Sequence, residues 1–131
     1  MVADKILILE DSPMMQSLYR MVLSGEAQLI FAGDGVEGMD LAAGEPGVTL
    51  YIVDVNLPRM DGLEFIRRLR SKLGIAERPV VVVSTECGEA DKAAAYQAGA
   101  DAYLCKPWKP EELEAVLAGL APAEGKGAGD G

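Results

Sequence analysis

Histidine is absent from the 131 residues, and only two cysteines occur, Cys87 and Cys105. The first absence excludes a zinc site built from Cys and His. The second excludes a disulfide framework of the kind that staples small secreted domains. Cys87 and Cys105 follow adjacent strands and can lie near each other, but ordinary free thiols of a reducing compartment are the expectation. Clustered positive charge is also missing. The densest group, Arg67, Arg68, Arg70 and Lys72, reads as the solvated face of a helix. Acidic residues outnumber basic ones 21 to 12, and the net charge of −9 argues against binding nucleic acid. The N-terminal apolar run, Ile6 to Leu9, is far too short for a signal peptide or a membrane span, so a cytoplasmic protein is expected. No Gly-rich turn follows the first apolar run, which disfavours a dinucleotide site.

Half of the residues are apolar, enough for one folded domain, and a monomer is expected. Apolar runs suited to strands alternate with stretches of helical period. Lys5–Glu10 reads as a first strand. Ser12 then caps a helix with Pro13 at its first position, and Met14, Leu18, Met21 and Val22 recur at helical spacing. Gln28–Ala32 is a second strand, and Val36–Ala43 a short helix after the Gly33-Asp34-Gly35 turn. Leu50–Asp54 is a third strand. The third helix spans Leu63 to Leu73, with Leu63, Ile66, Leu69 and Leu73 on one stripe. Pro79–Ser84 is a β-branched fourth strand, buried on both faces. Ala90–Ala98 is a helix anchored mostly by alanine, which reads either as close packing or as a lightly held, movable element. Ala102–Cys105 is a fifth strand, and a fifth helix starts near Pro110 with Leu113, Val116, Leu117 and Leu120 on its apolar face. Strict alternation implies an α/β fold, a doubly wound (βα)5 parallel sheet in the flavodoxin-like order 2-1-3-4-5. The domain takes in residues 1–120, and the Gly-rich segment 121–131 reads as a disordered tail.

Polar residues collect at one edge of that sheet. Strand one ends in Glu10-Asp11, strand three in Asp54 and strand four in Ser84-Thr85, while Lys106-Pro107 follows strand five. Ligands of open parallel sheets bind beyond the carboxyl ends of the strands, where the strand order reverses. In this order that point lies between strands one and three, which carry the three carboxylates. Each carboxylate pair at about 4 Å repels by roughly 4 kcal/mol at an effective dielectric near 20. Such a cluster needs a raised pKa or a cation, and hard oxygen ligands with open positions suit Mg²⁺. Lys106 can hold an ammonium near the same oxygens, and Ser84 can offer a hydroxyl. Together these are the parts for phosphoryl transfer to a carboxylate. A lone strand-end Asp, Ser or Lys is ordinarily a cap, a loop hydroxyl or a solvated charge; it is their joint occurrence that points to chemistry.

The segments ILILEDSPMM, VDVNLPRMDGLEFI, PVVVVSTE and GADAYLCKPW, in this order and spacing, resemble the receiver domain of two-component response regulators over residues 4–120. The short chain looks like the chemotaxis-type single-domain regulators. The resemblance implies that Asp54 is the phospho-acceptor and that Asp11, Asp54 and the backbone carbonyl of Asn56 ligate Mg²⁺, with Glu10 acting through water. It implies that Ser84 and Lys106 contact the phosphoryl group, and that Tyr103 is a switch aromatic drawn inward with Ser84. The bond before Pro107 is expected to be cis. Glu10 stands where Asp is frequent, Ser84 where Thr is usual, Thr85 where a small Ala is common and Trp108 where Phe is usual. Lys109 takes a position often held by Ser or Thr. Thr85 and Trp108 can alter access to the pocket. Asn56 and Glu86 can orient attacking water, which implies a short-lived phosphoryl state.

Without histidine the chain cannot carry a phosphohistidine, so the implied donor is a histidine kinase or a phosphotransfer protein. Phosphorylation is expected to bias a surface on helix four, strand five and helix five toward a downstream effector protein. Beyond accepting a phosphoryl group and losing it to water, no enzyme activity is expected. A phosphatase of the haloacid dehalogenase type would need a second Asp two residues past the nucleophile, where Asn56 stands. The remaining alternative is a phosphorylation-independent interaction module with the same fold.

Overall fold

The computed structural model describes residues 5–25 and 27–120. The expectations for residues 1–4 and for the segment 121–131 lie outside the described residues. The chain alternates β1 (Lys5–Leu9), α1 (Pro13–Leu23), β2 (Gln28–Ala32), α2 (Gly35–Gly44), β3 (Leu50–Asp54), α3 (Gly62–Ser71), β4 (Val80–Ser84), α4 (Glu89–Ala98), β5 (Ala102–Cys105) and α5 (Pro110–Leu120). The strands form one five-stranded parallel sheet in the order β2-β1-β3-β4-β5, as expected. Element ends differ from the sequence reading by a residue or two, where caps rather than periodicity set the boundary.

Strand alternation sorts the core into two layers. Leu7, Leu9, Tyr51, Val53, Val80 and Val82 face one cluster, closed by Ala42 of α2, Phe65 and Leu69 of α3 and Ala95 of α4. Ile6, Ile8, Leu50, Ile52, Val81 and Val83 face the other, closed by Tyr19 and Leu23 of α1 and Leu113 and Leu117 of α5. β3 and β4 are buried along their whole length, the condition of central parallel strands covered on both sides.

Side-chain caps start three of the helices. Ser12 Oγ accepts the Met15 N–H at 3.3 Å, Asp34 Oδ1 that of Glu37 at 2.8 Å, and Asp61 Oδ1 that of Glu64 at 2.9 Å. α4 is held lightly, since only Ala95 and Ala98 of its ten residues are buried.

Arg70 corrects the reading of the basic group as one solvated face. Its guanidinium donates to the carbonyls of Gly99, Ile75 and Arg78 and to Asp101 Oδ2, at 2.8–3.1 Å. The Val80 N–H donates to the same Asp101 oxygen at 2.9 Å. Arg70 follows Ile66 by one helical turn and so lies at the margin of the buried stripe, whereas Arg67 and Arg68 turn outward to pair with Glu64.

The cysteines correct a second expectation. Cys87 and Cys105 are joined by a disulfide, with their Cα atoms 6.0 Å apart. The β4–β5 register sets Ser84 beside Cys105, and the Sγ of Cys87 lies 3.6 Å from the Ser84 carbonyl oxygen, within reach of Cys105.

Candidate functional site

The same alternation decides which polar side chains meet at the carboxyl edge. Glu10 continues the Ile6, Ile8 series of β1, Asp54 the Leu50, Ile52 series of β3, and Lys106 the Ala102, Leu104 series of β5. All three therefore belong to the α1/α5 side. Lys106 Nζ donates to Asp54 Oδ2 at 2.7 Å and to Glu10 Oε1 at 3.2 Å, bridging the ends of β1 and β3 from β5. Glu10 and Asp54 are only 1% and 5% exposed, so this ammonium compensates two nearly buried carboxylates.

Further donors fix the anions in place. The Ser12 N–H donates to Glu10 Oε2 at 3.0 Å, and the Asn56 N–H to Asp54 Oδ1 at 3.0 Å. Burial pushes the Glu10 carboxyl above the usual carboxylate range; the Ser12 N–H and Lys106 pull it back without cancelling the shift, and the charge of Asp54 adds to it. For Lys106, burial disfavours the ammonium, yet the hydrogen bond and charge of Asp54, with Glu10 behind them, outweigh burial and raise its pKa above the ordinary lysine value.

Asp11 completes the acidic group at an exposed position. One carboxylate oxygen from each of Glu10, Asp11 and Asp54 lies within 4.8 Å of the others. Three hard oxygen donors, two buried and one facing solvent, with one cation for three negative charges, suit a divalent cation that keeps part of its water shell. The donor set fits a metal.

Ser84 and Tyr103 belong to the opposite, α3/α4 side of the sheet. Ser84 is fully buried and its Oγ accepts the Glu86 N–H at 3.0 Å. The half-buried Tyr103 donates its hydroxyl to the Glu86 carbonyl. The two predicted switch residues thus meet at Glu86 in the β4–α4 loop. The Lys106–Pro107 peptide is cis, as expected. Trp108 is buried in the α1/α5 cluster, its ring centroid 5.1 Å from that of Tyr19, while Thr85 is exposed. The Lys109 N–H donates to Glu112 at 2.8 Å at the start of α5.

Sequence reasoning missed four supports of this site. Gln16 donates Nε2–H to the Glu10 carbonyl at 2.8 Å, a side chain-to-backbone bond with no sequence signature. A Cβ on Gly62 would lie 2.3 Å from the Asp54 carbonyl oxygen, so the start of α3 packs against the end of β3 without room for any side chain. A Cβ on Gly35 would likewise lie 2.1 Å from the Met60 carbonyl oxygen. Arg59, at φ 67°, pairs with Asp34 at 2.9 Å and ties the same β3–α3 loop to the cap of α2. Glycine in a turn is ordinarily read for its dihedral freedom; here close approach is the reason.

Topology and site together define a doubly wound α/β protein with a carboxylate cluster and a lysine at the switch point of its sheet. The chain belongs to the response regulator receiver domain family, whose model matches residues 6–118. It is therefore a receiver domain of two-component signalling. It is 33% identical over 129 residues to a chemotaxis protein CheY homolog of Campylobacter jejuni, covering 97% of both chains. It is 39% identical over 112 residues to the KDP operon transcriptional regulatory protein KdpE of Escherichia coli, covering 86% of this chain and 48% of that one. Among solved structures, chemotaxis protein CheY4 of Vibrio cholerae superposes with a TM-score of 0.83 at 28% identity, over 90% of this chain and 98% of that one. The receiver domain of a Pseudomonas aeruginosa sensor histidine kinase, which has a magnesium ion coordinated in its active site cleft, gives a TM-score of 0.82 at 25% identity, over 91% and 98%. No helix of the described residues is long and apolar enough to cross a membrane.

Proposed function

We propose that the protein is a phosphorylation switch whose acceptor is Asp54. The observation that carries this reading is the 2.7 Å contact between Lys106 and Asp54, set beside carboxylate oxygens converging within 4.8 Å. An Asp54 oxygen attacks the phosphorus, the bond from phosphorus to a donor imidazole nitrogen breaks, and an acyl phosphate forms while the freed imidazole takes up a proton. The chain has no histidine, so the donor is a second molecule, a histidine kinase or a phosphotransfer protein.

Asp11, Asp54 and the Asn56 carbonyl, with Glu10 through water, would hold Mg²⁺, which supplies neutralisation of the charge gathered on the phosphoryl oxygens. The magnesium in the cleft of the Pseudomonas aeruginosa receiver supports this choice of ion. Lys106 leaves Asp54 for a phosphoryl oxygen, and the Ser84 hydroxyl turns to another. Freed of Ser84, the Glu86 segment and Tyr103 rearrange, which biases the surface of α4, β5 and α5 toward an effector protein. Water, oriented by Asn56 and Glu86, later hydrolyses the acyl phosphate, so the protein turns over no separate substrate and is not an enzyme in that sense. With a charge of −9 the partners are proteins rather than nucleic acid, met in the cytoplasm by a monomer.

Incubation with acetyl phosphate and Mg²⁺ tests the assignment. One phosphoryl group is expected by intact mass, and none in Asp54→Asn. Labelling of that variant at the parental level would sink the acceptor assignment.

A further inference from the structure

Cys87 and Cys105 stand outside the phosphorylation chemistry, yet they flank it. Cys105 directly precedes Lys106, and Cys87 lies three residues past Ser84, with its Sγ 3.6 Å from the Ser84 carbonyl oxygen. Resting on the switch reading above, we propose that this pair is a reversible thiol–disulfide site whose closed form restrains the β4–α4 loop and slows phosphorylation.

Geometry permits both redox forms on one backbone. The Cα separation of 6.0 Å lies in the range a disulfide spans without backbone movement. The two positions are held together by the sheet itself: Ser84 is in register with Cys105, and the Lys106 N–H donates to the Ser84 carbonyl at 2.8 Å. Neither cysteine belongs to either apolar cluster of the described residues, so the core closes without the bond. Both are half-buried, within reach of a small thiol reagent.

What the bond ties is the segment that has to move. Three hydrogen bonds already hold it: Glu86 N–H to Ser84 Oγ, Tyr103 hydroxyl to the Glu86 carbonyl, and Lys106 N–H to the Ser84 carbonyl. Hydrogen bonds exchange as Ser84 turns toward a phosphoryl group. A covalent link from Cys87 to the end of β5 does not, and it keeps the loop against Tyr103 and Lys106. Reduction leaves the hydrogen bonds alone and returns the loop to a lightly anchored α4.

The step is thiol–disulfide exchange with a low-molecular-weight disulfide such as glutathione disulfide. The thiolate of one cysteine attacks the reagent, forming a mixed disulfide and releasing one thiolate. The second cysteine attacks the protein-side sulfur and releases the other. Two protein thiols are oxidised, one disulfide is reduced to two thiols, and the two protons pass to the released thiolates.

The full chain equilibrated in mixtures of glutathione and its disulfide, quenched and alkylated, reports the first half of the proposal by intact mass. Two alkyl groups are expected under reducing conditions and none under oxidising ones, with full interconversion. A bond that stays closed in excess glutathione, or never forms, overturns the reversible site. Labelling by acetyl phosphate and Mg²⁺, timed in each form, reports the second half. The oxidised form is expected to label about fivefold more slowly or worse, the size of an ordinary coupling between sites. Cys87→Ser with Cys105→Ser should label at the reduced rate under both conditions. Equal rates in the two forms of the parent chain overturn the gating. Absence of labelling in both forms overturns the acceptor reading and the gating with it, while the mass readout still decides the redox site.

Discussion

Lys106 carries the electrostatic balance of the site. It is the cation bonded to both Asp54 and Glu10, and both anions are too buried for water to replace it. Lys106→Met keeps the stem and removes the charge, leaving two carboxylates facing each other. In urea unfolding without divalent cation this variant is expected to lose about 3 kcal/mol, the scale of breaking one partner out of a buried ion pair. Added Mg²⁺ should restore part of that loss, and a full-sized loss that Mg²⁺ leaves untouched would contradict a metal held by these carboxylates. At this scale much was legible. Glu10, Asp54 and Lys106 end or follow strands of known parity, so their meeting follows from the period of two. Ser84 and Tyr103 share a parity too, but they meet only through the backbone N–H and carbonyl of Glu86, which leave no mark on the sequence.

Among the elements, α3 and α4 differ in how they are held. α3 buries Phe65, Ile66 and Leu69 and adds the Arg70 clasp, which gathers the ends of three neighbouring segments through four acceptor groups. α4 buries two alanines and stops at Gly99, at φ 123°, whose carbonyl Arg70 takes. Arg70→Ala should therefore loosen α4 rather than α3. About 2–3 kcal/mol of stability is expected to go, as for charged hydrogen bonds lost from a part-buried donor. Amide hydrogen exchange should accelerate most over residues 98–102, and uniform acceleration across the sheet would refute the local role. The sequence displays Arg70 as one of four basic residues on a helix. Arg70 follows Ile66 by one helical turn, at the margin of the apolar stripe, but nothing in residue types tells a solvated guanidinium from one aimed at carbonyls.

For the whole molecule, the alternation of apolar runs and helical period was sufficient for the fold, the strand order and the edge carrying the site. The path of a loop was not legible in the same way. Adjacent strands placed the cysteines in one neighbourhood, but only the turn after Ser84 joined them. Two surface carboxylates contribute to the acid limit of this fold. The Glu37 N–H, and then Arg59, hold Asp34 below the usual carboxylate range, and Arg68, with Arg67, does the same for Glu64. A carboxylate with a depressed folded pKa stabilises above its unfolded pKa, and that contribution fades as pH falls through the folded value. The urea midpoint should thus decline below about pH 4. Asp34→Asn keeps a cap at α2 but not the charge, and should flatten part of that decline; an unchanged slope would exclude Asp34 from it.

Gly62 and Gly35 leave no space for even a methyl group where α3 meets the Asp54 carbonyl and where α2 meets Met60. The loop after β3 is thus wedged from behind, like the fixed jaw of a vice. Across the site, the loop after β4 backs onto a helix resting on alanines. Under the proposed phosphorylation, a group seated on Asp54 meets a fixed jaw on one side and a yielding one on the other, so the work done there is delivered toward α4.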